Sequence, residues 1–142
     1  MKTINSFTRE NHFLSNFFNA PVIYEGVQYL NNETAFQSAK VTSLTEKKKF
    51  ENLQPNHAKS LGRRVKLRSD WEKIKDQVMY DCVKDKFTRN LDLKNKLLAT
   101  KDAKLIEGNT WNDKYWGVCN GVGQNKLGHI LMKVREELKQ GE

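Results

Sequence analysis

The chain has 142 residues, 37% hydrophobic and 30% charged, with 25 Lys and Arg against 17 Asp and Glu for a formal net charge of +8. That length fits one domain, read as residues 1–142, and leaves too little for a second core. No apolar run approaches membrane-spanning length, Met1 to Arg9 lacks the apolar stretch of a signal peptide, and Cys82 and Cys119 supply neither metal spacing nor a disulfide framework, so the expected setting is a reducing cytoplasm with no membrane partner.

In chain order, Pro21 to Tyr24, the Glu25-Gly26 turn and Val27 to Tyr29 read as a short hairpin. Asn31-Asn32 caps a helix over Glu33 to Val41, which places Glu33, Gln37 and Lys40 at i, i+4 and i+7 on one face. Ser43 to Glu46 has the capping-box pattern and starts a second helix that runs to near Leu53; Pro55-Asn56 opens a third, stopped by Gly62. Ser69 to Glu72 is another capping box and heads the longest helix, with Trp71, Ile74, Val78 and Cys82 as one buried stripe and Met79, Val83 and Phe87 as its flank. Asp92 caps a helix through Ala99, Leu105 to Glu107 is a short extended piece, and a last helix from near Asn125 buries Leu127, Leu131, Val134 and Leu138. The expected fold class is mainly α, with a small N-terminal β-hairpin or sheet.

The positive charge attracts phosphate-rich partners over long range without conferring specificity. Most of it is lysine spread along the chain, the pattern of a solvated helix face, whereas Arg63, Arg64 and Arg68 form a tighter group suited to forking onto phosphate oxygens. Gly117, Gly121 and Gly123 precede the last helix, where exposed N–H groups favour an anion, but the stretch is neither a P-loop nor a dinucleotide fingerprint, and a simple loop is the better reading. Glu33 stands in the first turn of its helix, where the dipole favours an anion; such a carboxylate facing a ribosyl C1′ stabilises an oxocarbenium-like transition state or orients a water. The competing reading is a surface ion pair. Asp113, beside Trp116, is the second candidate carboxylate, and it serves equally well as a loop cap. His12, His57 and His129 lack metal-ligand spacing.

Taken together, Phe13 to Phe17, Glu33 to Lys40, Leu61 to Val65, Asp70-Trp71, Val78-Met79, Lys86-Phe87, Trp116-Gly117, Asn125 to Gly128 and Leu131 to Arg135 give the chain a pattern that closely resembles the YbiA-like family, also called NADAR. The resemblance spans nearly the entire sequence. It implies a mainly helical YbiA-like fold, no metal or other cofactor, and N-glycosidase activity on a ribosyl C–N bond. Two substrate classes follow from it: ADP-ribose attached to guanine in nucleic acid or nucleotides, and small phosphorylated intermediates of the early riboflavin pathway. Carried over by position, Glu33 and Asp113 are the catalytic candidates, and Ser15, Asn16, Gln37, Lys40, Arg64, Trp71, Trp116, Gly117 and Asn125 are substrate contacts. Many family members have His where Thr34 stands, and a hydroxyl does not titrate near neutrality, so leaving-group protonation falls to another group. A non-catalytic nucleic-acid-binding module is the alternative of a different class.

Overall fold

The structure, a computed structural model, describes residues 2–141. Its elements in chain order are β1 (Thr3–Ile4), a 3₁₀ helix (Arg9–Leu14), β2 (Asn19–Tyr24), β3 (Val27–Asn31), α1 (Asn32–Ser38), α2 (Leu44–Lys48), α3 (Pro55–Arg64), α4 (Trp71–Arg89), α5 (Leu91–Ala99), β4 (Lys104–Leu105), β5 (Gly108–Asn109), β6 (Val118–Cys119) and α6 (Lys126–Lys139). Helices dominate and the strands are short. The chain groups into two units, one formed by Asn16–Asn90 and the other by the segments up to Ser15 and from Leu91 onward.

In the Asn16–Asn90 unit, β2 and β3 form the expected antiparallel hairpin, with Tyr24 opposite Val27 and Val22 opposite Tyr29. Glu25 and Gly26 both take positive φ (48° and 81°), the twisted two-residue turn that matches the hand of the strands. The hairpin packs on α4, where the Ile23 N–H donates to Asp85 Oδ2 at 2.7 Å. Val78, Met79, Cys82, Val83 and Phe87 are buried as the helical period requires.

Several helix ends differ from expectation for local reasons. α1 stops at Ser38 and α2 at Lys48, each followed by a turn. Gly62 does not end α3, which continues to Arg64. The capping box at Ser69 does not form: Asp70 is the N-cap without a side-chain cap bond, because its carboxylate is taken by Arg68 at 2.7 Å, and Glu72 pairs instead with Lys75. The Ser43 box does form, with Ser43 Oγ accepting from the Glu46 N–H at 3.1 Å.

In the other unit, the extended piece at residues 104–106 has a partner that its own sequence does not announce. β4 pairs in parallel with β1, through N–H bonds from Lys104 to Lys2 O and from Ile106 to Ile4 O, both 2.9 Å. Leu14, Leu93, Leu97, Leu105, Leu131 and Val134 are among this unit's most deeply buried apolar residues. No helix among the described residues is long and apolar enough to cross a membrane.

One cation interrupts the buried face of α4. Lys86 is 1% exposed, and its Nζ lies 5.0 Å from the Phe87 ring and 5.8 Å from that of Phe18. Burial pulls its pKa down to about 7. The unfolded chain keeps this proton up to the ordinary lysine range whereas the folded chain releases it near 7, so stability rises with pH above 7. Above pH 9 the trend is opposed, since burial raises the Cys82 thiol and lifts Tyr24 to about 12. Lys86→Met is therefore expected to raise the melting temperature at pH 7, with the gain shrinking steadily toward pH 9. Thermal denaturation across that range checks the sign; a gain independent of pH would contradict it.

Candidate active site

In the Asn16–Asn90 unit the candidate residues gather around α1, every residue of which is buried. A buried helix start needs partners for its free N–H groups. Asn31 Oδ1 accepts from the Thr34 N–H at 2.8 Å, and the Asn16 carbonyl accepts from the Glu33 N–H at 3.0 Å. Asn16 Oδ1 also takes a bond from Asn32 Nδ2 at 2.8 Å, so Asn16 grips the helix start through both main chain and side chain.

Glu33, held in this first turn, is only 7% exposed. One turn on, Gln37 donates from Nε2 to Glu33 Oε2 at 2.6 Å, confirming that the two share a face. Lys40 lies just beyond the helix, its N–H bonded to the Gln37 carbonyl at 3.1 Å. Burial lowers the Lys40 pKa below the ordinary lysine value; Glu33 acts in the opposite direction, and the cations Arg63 and Lys59 reinforce the lowering. Its Nζ lies 5.9 Å from the ring centroid of Trp71, which is 5% exposed and packs on Phe36 at 5.1 Å and 56°. The result is a braced carboxylate, an amine that holds its proton less firmly than usual, and an aromatic wall.

Of the arginine group, Arg64 is exposed and its Nε donates back to the Ser60 carbonyl at 3.3 Å. Arg68 pairs with Asp70 and bonds the Ala39 carbonyl at 3.3 Å, which fastens the chain beside Lys40. The cations that bear on Lys40 are Lys59 and Arg63; Arg63 belongs to the arginine group noted in the sequence, whereas Lys59 was missed although its i, i+4 spacing from Arg63 on α3 was the available signal. Thr34 is fully buried, with its hydroxyl donating to the Leu53 carbonyl at 3.1 Å, and so is occupied as a structural group.

The remaining candidates, Ser15, Asp113, Trp116, Gly117 and Asn125, belong to the other unit. Ser15 closes the 3₁₀ helix through its N–H to the His12 carbonyl at 2.9 Å. Asp113 Oδ1 accepts from the N–H groups of Tyr115 (3.1 Å) and Trp116 (3.0 Å), an Asx-type turn. Asn109 supports that turn from both ends of its amide, accepting from the Asp113 N–H and donating to the Asp113 carbonyl. Trp116 meets Tyr115 edge to face at 4.8 Å, and Lys126 Nζ lies 4.8 Å from the centre of the Tyr115 ring.

Asn125, at a left-handed φ of 52°, accepts from the Glu107 N–H and donates to the Leu105 carbonyl, both at 2.9 Å. Gly117 makes room for Glu107: a Cβ there would overlap the Glu107 carboxylate, which takes a bond from Asn109 Nδ2 at 2.9 Å. Glu107 is a carboxylate that no sequence motif flagged.

The anion cradle envisaged ahead of α6 is largely closed. The N–H groups of Gln124, Asn125, Lys126 and Leu127 donate to the carbonyls of Lys114, Gly117, Tyr115 and Trp116, because the Asp113 turn folds residues 114–117 back over the helix start. Asn120 and Gly121 instead make a two-residue turn, both with positive φ, between the bridged Cys119 and Val122. Among the described residues, no group of three or more His, Cys, Asp or Glu is arranged to hold a metal ion.

Known proteins resemble this chain over most of its length. The chain is 40% identical over 128 residues to the N-glycosidase YbiA of Shigella flexneri serotype 5b (strain 8401), covering 87% of this chain and 79% of that one. Its identity with the N-glycosidase YbiA of Escherichia coli (strain K12) is 39% over the same length and shares of each chain. A riboflavin biosynthesis protein of Vibrio vulnificus (strain YJ016) is 36% identical over 136 residues, 92% of this chain and 37% of the longer relative. The NMR structure of E. coli YbiA matches with a TM-score of 0.86 at 35% identity, covering 99% of this chain and 86% of that one. The class is that of an enzyme hydrolysing N-glycosyl bonds. A NADAR domain model matches residues 4–139, and the chain belongs to the NADAR family.

The Asp113 turn separates a structural from a chemical requirement. Asp113→Asn keeps an acceptor oxygen and is expected to leave the melting temperature near the parental value, whereas Asp113→Ala leaves two N–H groups without their partner and costs about 1 kcal/mol of stability. Thermal denaturation reads both; equal losses in the two variants would contradict the turn assignment.

Proposed function

We propose that this N-glycosidase releases ADP-ribose from guanine in nucleic acid or nucleotides. The observation that supports this most is Glu33, a buried carboxylate braced by Gln37 at 2.6 Å within a cationic neighbourhood of Lys40, Lys59 and Arg63. Those cations suit the diphosphate of ADP-ribose, with Arg64 beside them on the end of α3. The aromatic wall of Trp71 suits a ring of the substrate.

As the C1′–N bond breaks, its electron pair leaves with guanine and positive charge develops on the ribose. Glu33 meets that charge, and water adds to C1′ to complete hydrolysis. The departing nitrogen needs a proton. Thr34 is committed to the Leu53 carbonyl, whereas Lys40, with its pKa lowered by burial, is suited to supply one.

A second reading, cleavage of a small phosphorylated riboflavin-pathway intermediate, rests on the name of the Vibrio vulnificus relative. The net charge of +8 favours the polyanionic substrate, because phosphate attraction grows with phosphate number. Incubation with ADP-ribosylated guanosine and, separately, with the riboflavin intermediate, followed by chromatography of the released base, distinguishes the two. The expected result is faster release from the guanine adduct. Glu33→Gln is expected to lower turnover by about two to three decades with its fold retained; parental turnover in that variant would remove Glu33 from the mechanism.

A further inference from the structure

Gly62 is the one glycine of α3, and nothing in its own backbone calls for it. It lies inside the helix rather than at its end, and its φ is not among the left-handed values of the chain. Glycine is the poorest helix former after proline, so an interior glycine with ordinary helical geometry needs a reason from outside the helix. The neighbour across the α1–α3 contact supplies it. A Cβ built on Gly62 would overlap Gln37 Oε1 and come within 2.8 Å of Gln37 Cδ. The atoms met belong to the terminal amide of Gln37, which is held in place by its bond to Glu33.

The orientation of that amide follows from Glu33. A carboxylate only accepts, so the Gln37 end facing it at 2.6 Å is Nε2, and the oxygen is turned toward the bare surface of α3. Gln37 Oε1 is buried there without a hydrogen-bond partner. Moving the amide off Gly62 would therefore break the bond to Glu33, with no second partner on the α3 side to hold the amide in place.

We infer that Gly62 is a positioning residue for the N-glycosidase reaction: the absence of a side chain on α3 lets the Gln37 amide lie against that helix and hold the Glu33 carboxylate in place. The assignment rests on the proposed role of Glu33. It makes Gly62 act through Gln37, with no contact to substrate required. The same glycine that reads as a helix stop in sequence is the floor under the brace of the carboxylate.

The test is a two-by-two set: parent, Gly62→Ala, Gln37→Ala and the double variant, each measured for kcat, KM and melting temperature. Gly62→Ala is expected to lower kcat, by up to about 100-fold for a displacement on the order of 1 Å, with KM little changed because the cationic neighbours of Lys40 are untouched. The double variant is expected to match Gln37→Ala alone, since the methyl group then displaces nothing. The melting temperature gives a readout independent of catalysis. Alanine at 62 is expected to lower it when Gln37 is present and to raise it by a few degrees when residue 37 is alanine, where only helix propensity remains. A Gly62→Ala protein that fails to fold while the double variant folds also supports the inference. Equal effects of Gly62→Ala in both backgrounds, parental kcat in Gly62→Ala, or failure of both Gly62→Ala proteins to fold would overturn it. If the melting temperatures change sign as expected while Glu33→Gln keeps parental turnover, the packing stands and the proposed role of Glu33 is what fails.

Discussion

The bond from Gln37 Nε2 to Glu33 Oε2 is the contact around which the candidate site is organised. A carboxylate only 7% exposed is unfavourable unless it is hydrogen-bonded. The whole of α1 faces the same constraint, because Asn32, Glu33, Thr34, Gln37 and Ser38 are polar and buried. Asn31, the Asn16 carbonyl, the Leu53 carbonyl and the Ala35 carbonyl take up most of these groups. Asn32 Oδ1 and Gln37 Oε1 are the buried oxygens left without a partner, which makes α1 a costly element to build and a well-ordered one once built.

Two lysines of the Asn16–Asn90 unit, the half-buried Lys40 and the buried Lys86, show how the same desolvation leads to different chemistry. Burial lowers the pKa of both Lys40 and Lys86. Lys40 follows the turn after α1, where Glu33 and the cations Arg63 and Lys59 act on it, so its lowered pKa bears on the proposed protonation of the leaving group. Lys86 stands among aromatic rings on α4, and its lowered pKa expresses itself in the pH dependence of stability. A shifted pKa points to function only through the groups around it.

In the other unit, side-chain amides and left-handed residues replace regular structure. Asn109 and Asn125 stand in for backbone partners, while Asn112, Asn120 and Asn125 accept the positive φ that its turns demand. This is why the segment reads as a ligand-binding loop in sequence: the residues that shape tight loops are the same types that bind anions. Its carboxylates, Asp113 and Glu107, are each held by hydrogen bonds within the segment.

What the sequence determined by itself was local. The Glu25-Gly26 turn, the caps at Asn31 and Ser43, the buried stripe of α4 apart from the half-buried Ile74, and the apolar face of α6 depend on residues within a turn or two of one another, and the structure has them where the pattern puts them. The pairing of Glu33 with Gln37 was visible for the same reason, being one helical turn long. Tertiary structure decided the rest. It paired β1 with β4 from stretches far apart in the chain, diverted Asp70 from its cap to Arg68, folded residues 114–117 over the start of α6, and turned Gly62 from an expected helix stop into the surface on which Gln37 rests. Each of these is a contact between stretches whose own patterns are satisfied in more than one way, so only the packed chain, in which every buried polar group must find a partner and every atom its space, selects among them.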